Sequence, residues 1–116
     1  LLAYSPLGFG FLSGKYLNGY PENSRMKLFP NFVRYTNENC FKATKLYKEL
    51  AEANDLTLTQ MAIAFVNRQK FVTSTIIGAT TMEQLQENIA AFDTILSDEI
   101  VAEIEEIQEL IPNPAP

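Results

Sequence analysis

The 116 residues include no histidine, no tryptophan and a single cysteine, Cys40. Without imidazoles, and with one thiol, the chain lacks the donors that hold transition metals, so no metal centre is expected. One cysteine cannot form an internal disulfide and fits a reducing compartment. No apolar run approaches the roughly 20 residues that cross a bilayer, and the first residues carry no basic leader. The expectation from these absences is a cytoplasmic protein. The chain is also too short for a closed (β/α)8 barrel, which takes about 250 residues, although 47% apolar residues suffice for a core.

Basic residues are missing from the last 46 positions. All nine Lys and Arg precede Phe71, beside five acidic residues; nine acidic residues and no basic one follow it. One reading is two solvated faces of opposite sign. The other is that Lys15, Arg25 and their neighbours draw an anionic ligand to one end. The overall charge of −5 makes nucleic acid an improbable partner, because its backbone rewards clustered cations.

The apolar run Leu1 to Tyr4 has no polar alternation, as in a strand buried on both faces of a parallel sheet, and Pro6 ends it. From Gly8 to Arg34 the chain holds four of its five glycines with Pro21 and Pro30, so a long irregular connection is expected. Such a length is uncommon without a function. Asn37 to Asn54 reads as a helix with a stripe of Phe41, Leu46, Tyr47, Leu50 and Ala51. Thr57 and Gln60 have the spacing of a capping box, opening a helix to Gln69 with Met61, Ala62, Ala64, Phe65 and Val66 inward. Val72 to Ile77, rich in β-branched residues, reads as a second strand. Thr81 and Gln84 repeat the capping-box spacing, opening a helix through Leu85, Ile89 and Phe92. Ser97 caps a last helix carrying Ile100, Val101, Ile104, Ile107 and Leu110, which Pro112 stops. The order is a short α/β alternation within one domain, residues 1–116.

Two segments carry chemistry. Gly8, Gly10 and Gly14 follow the first strand as G-x-G-x-x-x-G, which is not the dinucleotide fingerprint, and Gly14-Lys15 is followed by Tyr16, which excludes a P-loop. Taken alone, this cluster is either a plain loop or a phosphate cradle. Gly78-Ala79-Thr80-Thr81 sits between a strand and a helix, whose free N–H groups and dipole make an anion site. Thr80 and Gln84 can add side-chain bonds there, and Glu87 and Asn88 can face an adenine amine. Equally, Gln84 can simply complete the cap, with Glu87 and Asn88 solvated.

These two segments, Leu2 to Lys15 and Thr75 to Asn88, closely resemble the cofactor-binding elements of aldo-keto reductases, above all the Tas branch. The likeness runs to the Pro112-Asn113-Pro114-Ala115-Pro116 ending. It implies that the chain is the C-terminal part of a (β/α)8 TIM barrel, incomplete as given, with strands 7 and 8, their helices and a C-terminal helix. It also implies NADP(H) as cofactor. Residues matching Tyr4 stack on the nicotinamide; those matching Ser5, Leu7, Gly8 and Gly10 line the pyrophosphate, with Lys15 nearby. The loop of Ser24 and Arg25 folds over the cofactor, Arg25 with Thr80 and Gln84 holds the 2′-phosphate beside Gly78, and Glu87 and Asn88 meet the adenine. An arginine fork suits a phosphate as lysine does not.

The family passes a hydride from NADPH to a carbonyl while a tyrosine, supported by aspartate, lysine and often histidine, supplies the proton. None of these matches a residue here, so no catalytic residue is expected in this chain and none of the reaction from it alone. The resemblance therefore implies the cofactor-binding part of an oxidoreductase acting on a small aldehyde or ketone. The rival expectation is a regulatory NADP(H)-binding module like the β-subunits of potassium channels; a truncated gene product is a third. Loss of neighbouring strands would leave open edges, so self-association is expected of the isolated chain.

Overall fold

A computed structural model describes all 116 residues. Two short parallel strands, β1 (Leu2–Tyr4) and β2 (Ser74–Ile76), pair with Leu2 against Ser74 and Tyr4 against Ile76. The N-terminal ammonium extends the ladder, donating to the Phe71 carbonyl at 2.9 Å, while the Thr73 N–H donates to the Leu1 carbonyl at 2.8 Å. Four helices follow the expected order, α2 (Glu38–Ala53), α3 (Leu58–Asn67), α4 (Met82–Ala90) and α5 (Asp98–Leu110), and a further single turn, α1 (Arg25–Leu28), forms within the connection read as irregular. Gly8–Ser13, kinked at the left-handed Phe9 and Gly10, and Ala91–Asp93 form 3₁₀ turns, and the glycine-rich stretch is irregular at that kink as its composition suggests.

The strands depart from the expectation of burial on both faces. Leu2 is 61% and Tyr4 78% exposed, because a two-stranded sheet covers neither its edges nor its outer surface. Only Thr75 is buried in β2, and its hydroxyl has no hydrogen-bond partner. Ile89, Phe92 and Leu110, expected to face a core, are also exposed. Their elements have one packed side and no partner on the other.

The helices form where their caps and stripes dictate. Asn37 caps α2 by accepting from the Cys40 N–H at 3.0 Å. The buried stripe of α2 runs through Cys40, Ala43, Thr44, Leu50 and Ala51, so Leu46 lies on its flank and not at its centre. Thr57 and Gln60 complete a reciprocal capping box, with bonds of 3.1 and 2.9 Å. Helix α3 is the centre of the molecule, packed by α2, α4, β2 and both 3₁₀ turns. The main core joins Leu50 and Ala51 of α2, Leu58, Met61 and Ala64 of α3, Leu96, and Ile104 of α5. A smaller cluster of Phe11, Tyr16 and Met26, flanked by Tyr35 and Phe41, anchors the long connection between β1 and α2.

Candidate functional site

Parallel pairing puts the C-terminal ends of β1 and β2 side by side, and the segments leaving them diverge around a cleft of about 570 Å³. Tyr4, Ser5, Leu7, Gly10 and Lys15 line it from the first segment, and Arg25 from the loop beyond. Gly78, Thr80, Gln84, Glu87 and Asn88 line it from the second. Of the residues singled out in the sequence, Gly8 alone lies outside the lining. It has φ +51°, a left-handed conformation that favours glycine, and a Cβ there would make ordinary van der Waals contact with the Tyr35 ring at 3.5 Å behind the cleft. Gly10 has a direct role: at φ +96°, an added Cβ would fall 2.8 Å from Lys15 Cε. The missing side chain is the space through which Lys15 crosses its own loop to reach the cleft.

Cationic character dominates this space. Neither Lys15 nor Arg25 is among the ion-paired residues, which are Lys27, Lys42, Lys48 and Arg68. The Lys15 ammonium rests 5.1 Å from the Tyr16 ring centre and the Arg25 guanidinium 5.0 Å from that of Phe9. Glu87 is the one carboxylate in the lining, and its Oε1 already accepts from the Thr57 hydroxyl at 2.6 Å. It is thus held by the cap of α3, whereas the sequence offered it as solvated or as an adenine contact.

At the head of α4 the cap differs from the expected box. Thr81 Oγ1 accepts from the Gln84 N–H at 3.2 Å, but Gln84 turns to Thr80, taking its N–H at 2.9 Å and its hydroxyl proton at 3.1 Å. Thr80 and Gln84 therefore form one unit at the cleft wall, with the Gln84 amide nitrogen still free to donate. The N–H groups of Met82 and Glu83 have no partner in the chain and carry the positive end of the helix dipole. Asn88 is 2% exposed and donates to the Gly78 carbonyl at 3.1 Å. It ties α4 to the turn after β2, a role with no local signal in the sequence.

Phe9 and Thr59 are among the lining residues that escaped the sequence reading. Phe9, at φ +57°, is a non-glycine residue in the left-handed region beside the cleft. Thr59, on α3, is 5% exposed, lines the cleft and makes no side-chain hydrogen bond. The one signal for it was a hydroxyl placed among the apolar residues of a capped helix. Replacing Thr59 with Val, which keeps its shape, is expected to weaken binding of a ligand in the cleft about 5-fold to 10-fold, the worth of one neutral hydrogen bond. Thr59→Ser should restore it, as read by fluorescence titration; unchanged binding in the valine variant would show that the hydroxyl faces no ligand.

The groups whose acidity the fold shifts lie elsewhere. Burial raises the Cys40 thiol and the Tyr47 phenol, the Lys42 ammonium lowers Glu38, and hydrogen bonds at the start of α5 lower Glu99. No cluster of histidine, cysteine or acidic side chains could hold a metal ion. The cleft presents unpaired cations and an open helix N-terminus, with no coupled acid and base in it.

The sequence profile of the aldo/keto reductase family matches residues 1–109. This chain belongs to that family. Within the aldo/keto reductases it is 50% identical to Protein tas of Escherichia coli K12 across its whole length, and 37% identical over 90% of its length to L-glyceraldehyde 3-phosphate reductase of E. coli O157:H7. A putative voltage-gated potassium channel subunit beta of Schizosaccharomyces pombe is 33% identical over 94% of the chain. The chain spans about a third of these relatives, 34%, 32% and 34% of their lengths. An aldo/keto reductase fold is a (β/α)8 barrel, and the two parallel strands with flanking helices are compatible with part of one. No helix is long and apolar enough to cross a membrane.

Proposed function

We propose that this chain forms the NADP(H)-binding part, corresponding to strands 7 and 8 with their helices and a C-terminal helix, of an aldo/keto reductase that converts aldehydes or ketones to alcohols. The observation carrying this reading is the convergence, on one cleft at two strand ends, of two unpaired cations and the open N-terminus of α4. Those donors suit a ligand with phosphates at two places. Lys15, with the Ser5 to Gly10 turn, would hold the pyrophosphate, while Arg25 and the Thr80–Gln84 pair would hold a 2′-phosphate beside Gly78. The 78% exposed ring of Tyr4, at the end of β1, offers a flat apolar face to a nicotinamide. Glu87 and Asn88 bound the side where an adenine would lie; with Asn88 Nδ2 engaged by Gly78, its carbonyl oxygen is the group left for an amine.

When bound, NADPH supplies the hydride that reduces the carbonyl. This chain's contribution is to bind and orient. Tyr4 would fix the plane of the ring, Lys15 and Arg25 would hold the phosphates, and the cleft walls would keep water from one side of the nucleotide. The proton is assigned to the family's tyrosine, with its aspartate, lysine and histidine, in the remainder of the protein. Consequently the 116 residues alone should bind nucleotide weakly and reduce no carbonyl; NADPH oxidation with an aldehyde by this chain would overturn the assignment. The single buried thiol fits the cytoplasm as its location.

The yeast relative named as a channel subunit supports a second reading, a regulatory NADP(H)-binding module. Titrating the full-length protein with NADPH, then following absorbance at the nicotinamide band with aldehydes added, separates the two. Binding with turnover favours the enzyme, binding without turnover the module, and no binding excludes both.

A further inference from the structure

A line of contacts joins the C-terminal residues to the arginine at the cleft. The Ala115 carbonyl accepts from Arg34 Nε at 3.3 Å, and the Arg34 guanidinium lies 5.8 Å from the Tyr35 ring centre. Tyr35 meets Phe9 edge to face, centroids 5.4 Å apart at 75°, and the Phe9 ring lies 5.0 Å from the Arg25 guanidinium. Two more bonds clamp the tail one residue earlier. Asn37 Nδ2 donates to the Pro114 carbonyl at 2.7 Å and the Cys40 thiol donates to the same oxygen at 3.0 Å.

We propose that residues 114–115 form a strap that holds Arg25 in its phosphate-reading position through Arg34, Tyr35 and Phe9. The inference rests on the assignment of Arg25 to a 2′-phosphate and names what fixes it there. Three features argue that the path is built for this purpose. Phe9 keeps a left-handed backbone that costs a non-glycine residue on the order of 1 kcal/mol or more, and its ring is what that conformation delivers beneath Arg25. Gly8, at φ +51°, supplies the left-handed turn that leads the chain into Phe9, with the Tyr35 ring in van der Waals range behind it. Arg25 has no carboxylate partner, so the ring and its neighbours are what constrains an otherwise free side chain. An arginine already ordered loses less entropy when a phosphate arrives, which raises affinity without touching the ligand.

Arg34, Tyr35 and the strap are thus positioning residues, and the readout is selectivity for NADPH over NADH in the full-length protein. Ending the chain at Ile111 should lower NADPH affinity about 2-fold to 5-fold, the range of one exposed cation–π contact, and leave NADH unchanged. Tyr35→Leu, which keeps apolar bulk but removes the ring edge, should do the same. In an Arg25→Ala background neither change should cost anything further, since both act through that guanidinium. Equal losses for both nucleotides in a protein that otherwise prefers NADPH, or a full additional loss in the alanine background, would refute the strap. Amide hydrogen exchange without nucleotide provides an independent arm. The Leu28 and Phe29 amides, which bond to Ser24 and Arg25 carbonyls, should exchange faster in the shortened chain. Faster exchange in a protein that does not distinguish the nucleotides would defeat the phosphate assignment and leave the strap standing; unchanged exchange would defeat the strap.

Discussion

Arg25→Ala in the full-length protein is expected to weaken NADPH binding about 10-fold to 100-fold, because a charge-assisted bond contributes roughly 1.5 to 3 kcal/mol and about 1.4 kcal/mol is a factor of ten. NADH, which lacks the 2′-phosphate, should bind almost as before. The structure sharpens this contrast. Arg25 has no ion-pair partner to leave stranded, so its removal exposes no uncompensated charge inside the protein. Gln84→Ala should act in the same direction and exceed Thr80→Ala, since Gln84 Oε1 holds both the N–H and the hydroxyl of Thr80. Neither should match Arg25, because neither carries charge. Fluorescence titration with both nucleotides decides the matter: parallel losses for NADPH and NADH would mean that Arg25 orders the loop and does not read the phosphate.

The largest effect on stability is expected at Ile63, which is fully buried on α3. Ile63→Ala should cost about 2 to 5 kcal/mol, through lost transfer energy and the cavity left behind, whereas Ile63→Val should cost about 0.5 to 1.5. Against a total of roughly 5 to 15 kcal/mol for an ordinary domain, the first change consumes much of the margin. Because α3 packs on β2, α4 and both 3₁₀ turns, loosening it also releases Thr59 and the Thr57–Glu87 bond at the cleft. Urea unfolding of the full-length protein followed by circular dichroism measures both variants; an alanine midpoint no lower than that of valine would show that the site collapses around the deletion.

The caps at Thr57, Thr81 and Ser97 were legible because their causes are local: each accepts from the N–H three residues on, as its side chain and spacing require. The stripes were legible only in part, since Ile63, fully buried on α3, was passed over for its half-buried neighbours Ala62 and Val66. Burial of the strands was not legible. An apolar run such as Leu1 to Tyr4 states what it can pack against, whereas its exposure here depends on which other strands lie beside it. Within the cleft, eleven of the twelve residues singled out share one lining, since strand-end turns are short-range features. The partners of Asn88, Glu87 and Gly8 were hidden for the opposite reason. Each is set by a contact between elements remote in sequence: Gly78 for Asn88, Thr57 for Glu87 and Tyr35 for Gly8. Gln84 was misread because a one-residue shift, from Thr81 to Thr80, satisfies the same side chain equally well.

The pairing of β1 with β2 brings together groups 70 positions apart, as the bond from the first residue to Phe71 shows. Closing a loop of that length costs on the order of 4 kcal/mol in chain entropy, against very few ladder bonds between strands of three residues. Helices α2 and α3, consecutive in the chain, pack with no such closure, and the core they share with α5 gathers seven of the fourteen buried apolar residues. The order of assembly follows from that imbalance. The helices consolidate early and the two strand ends meet late, so the cleft between them is the part of this chain whose formation an arriving nucleotide can most readily drive.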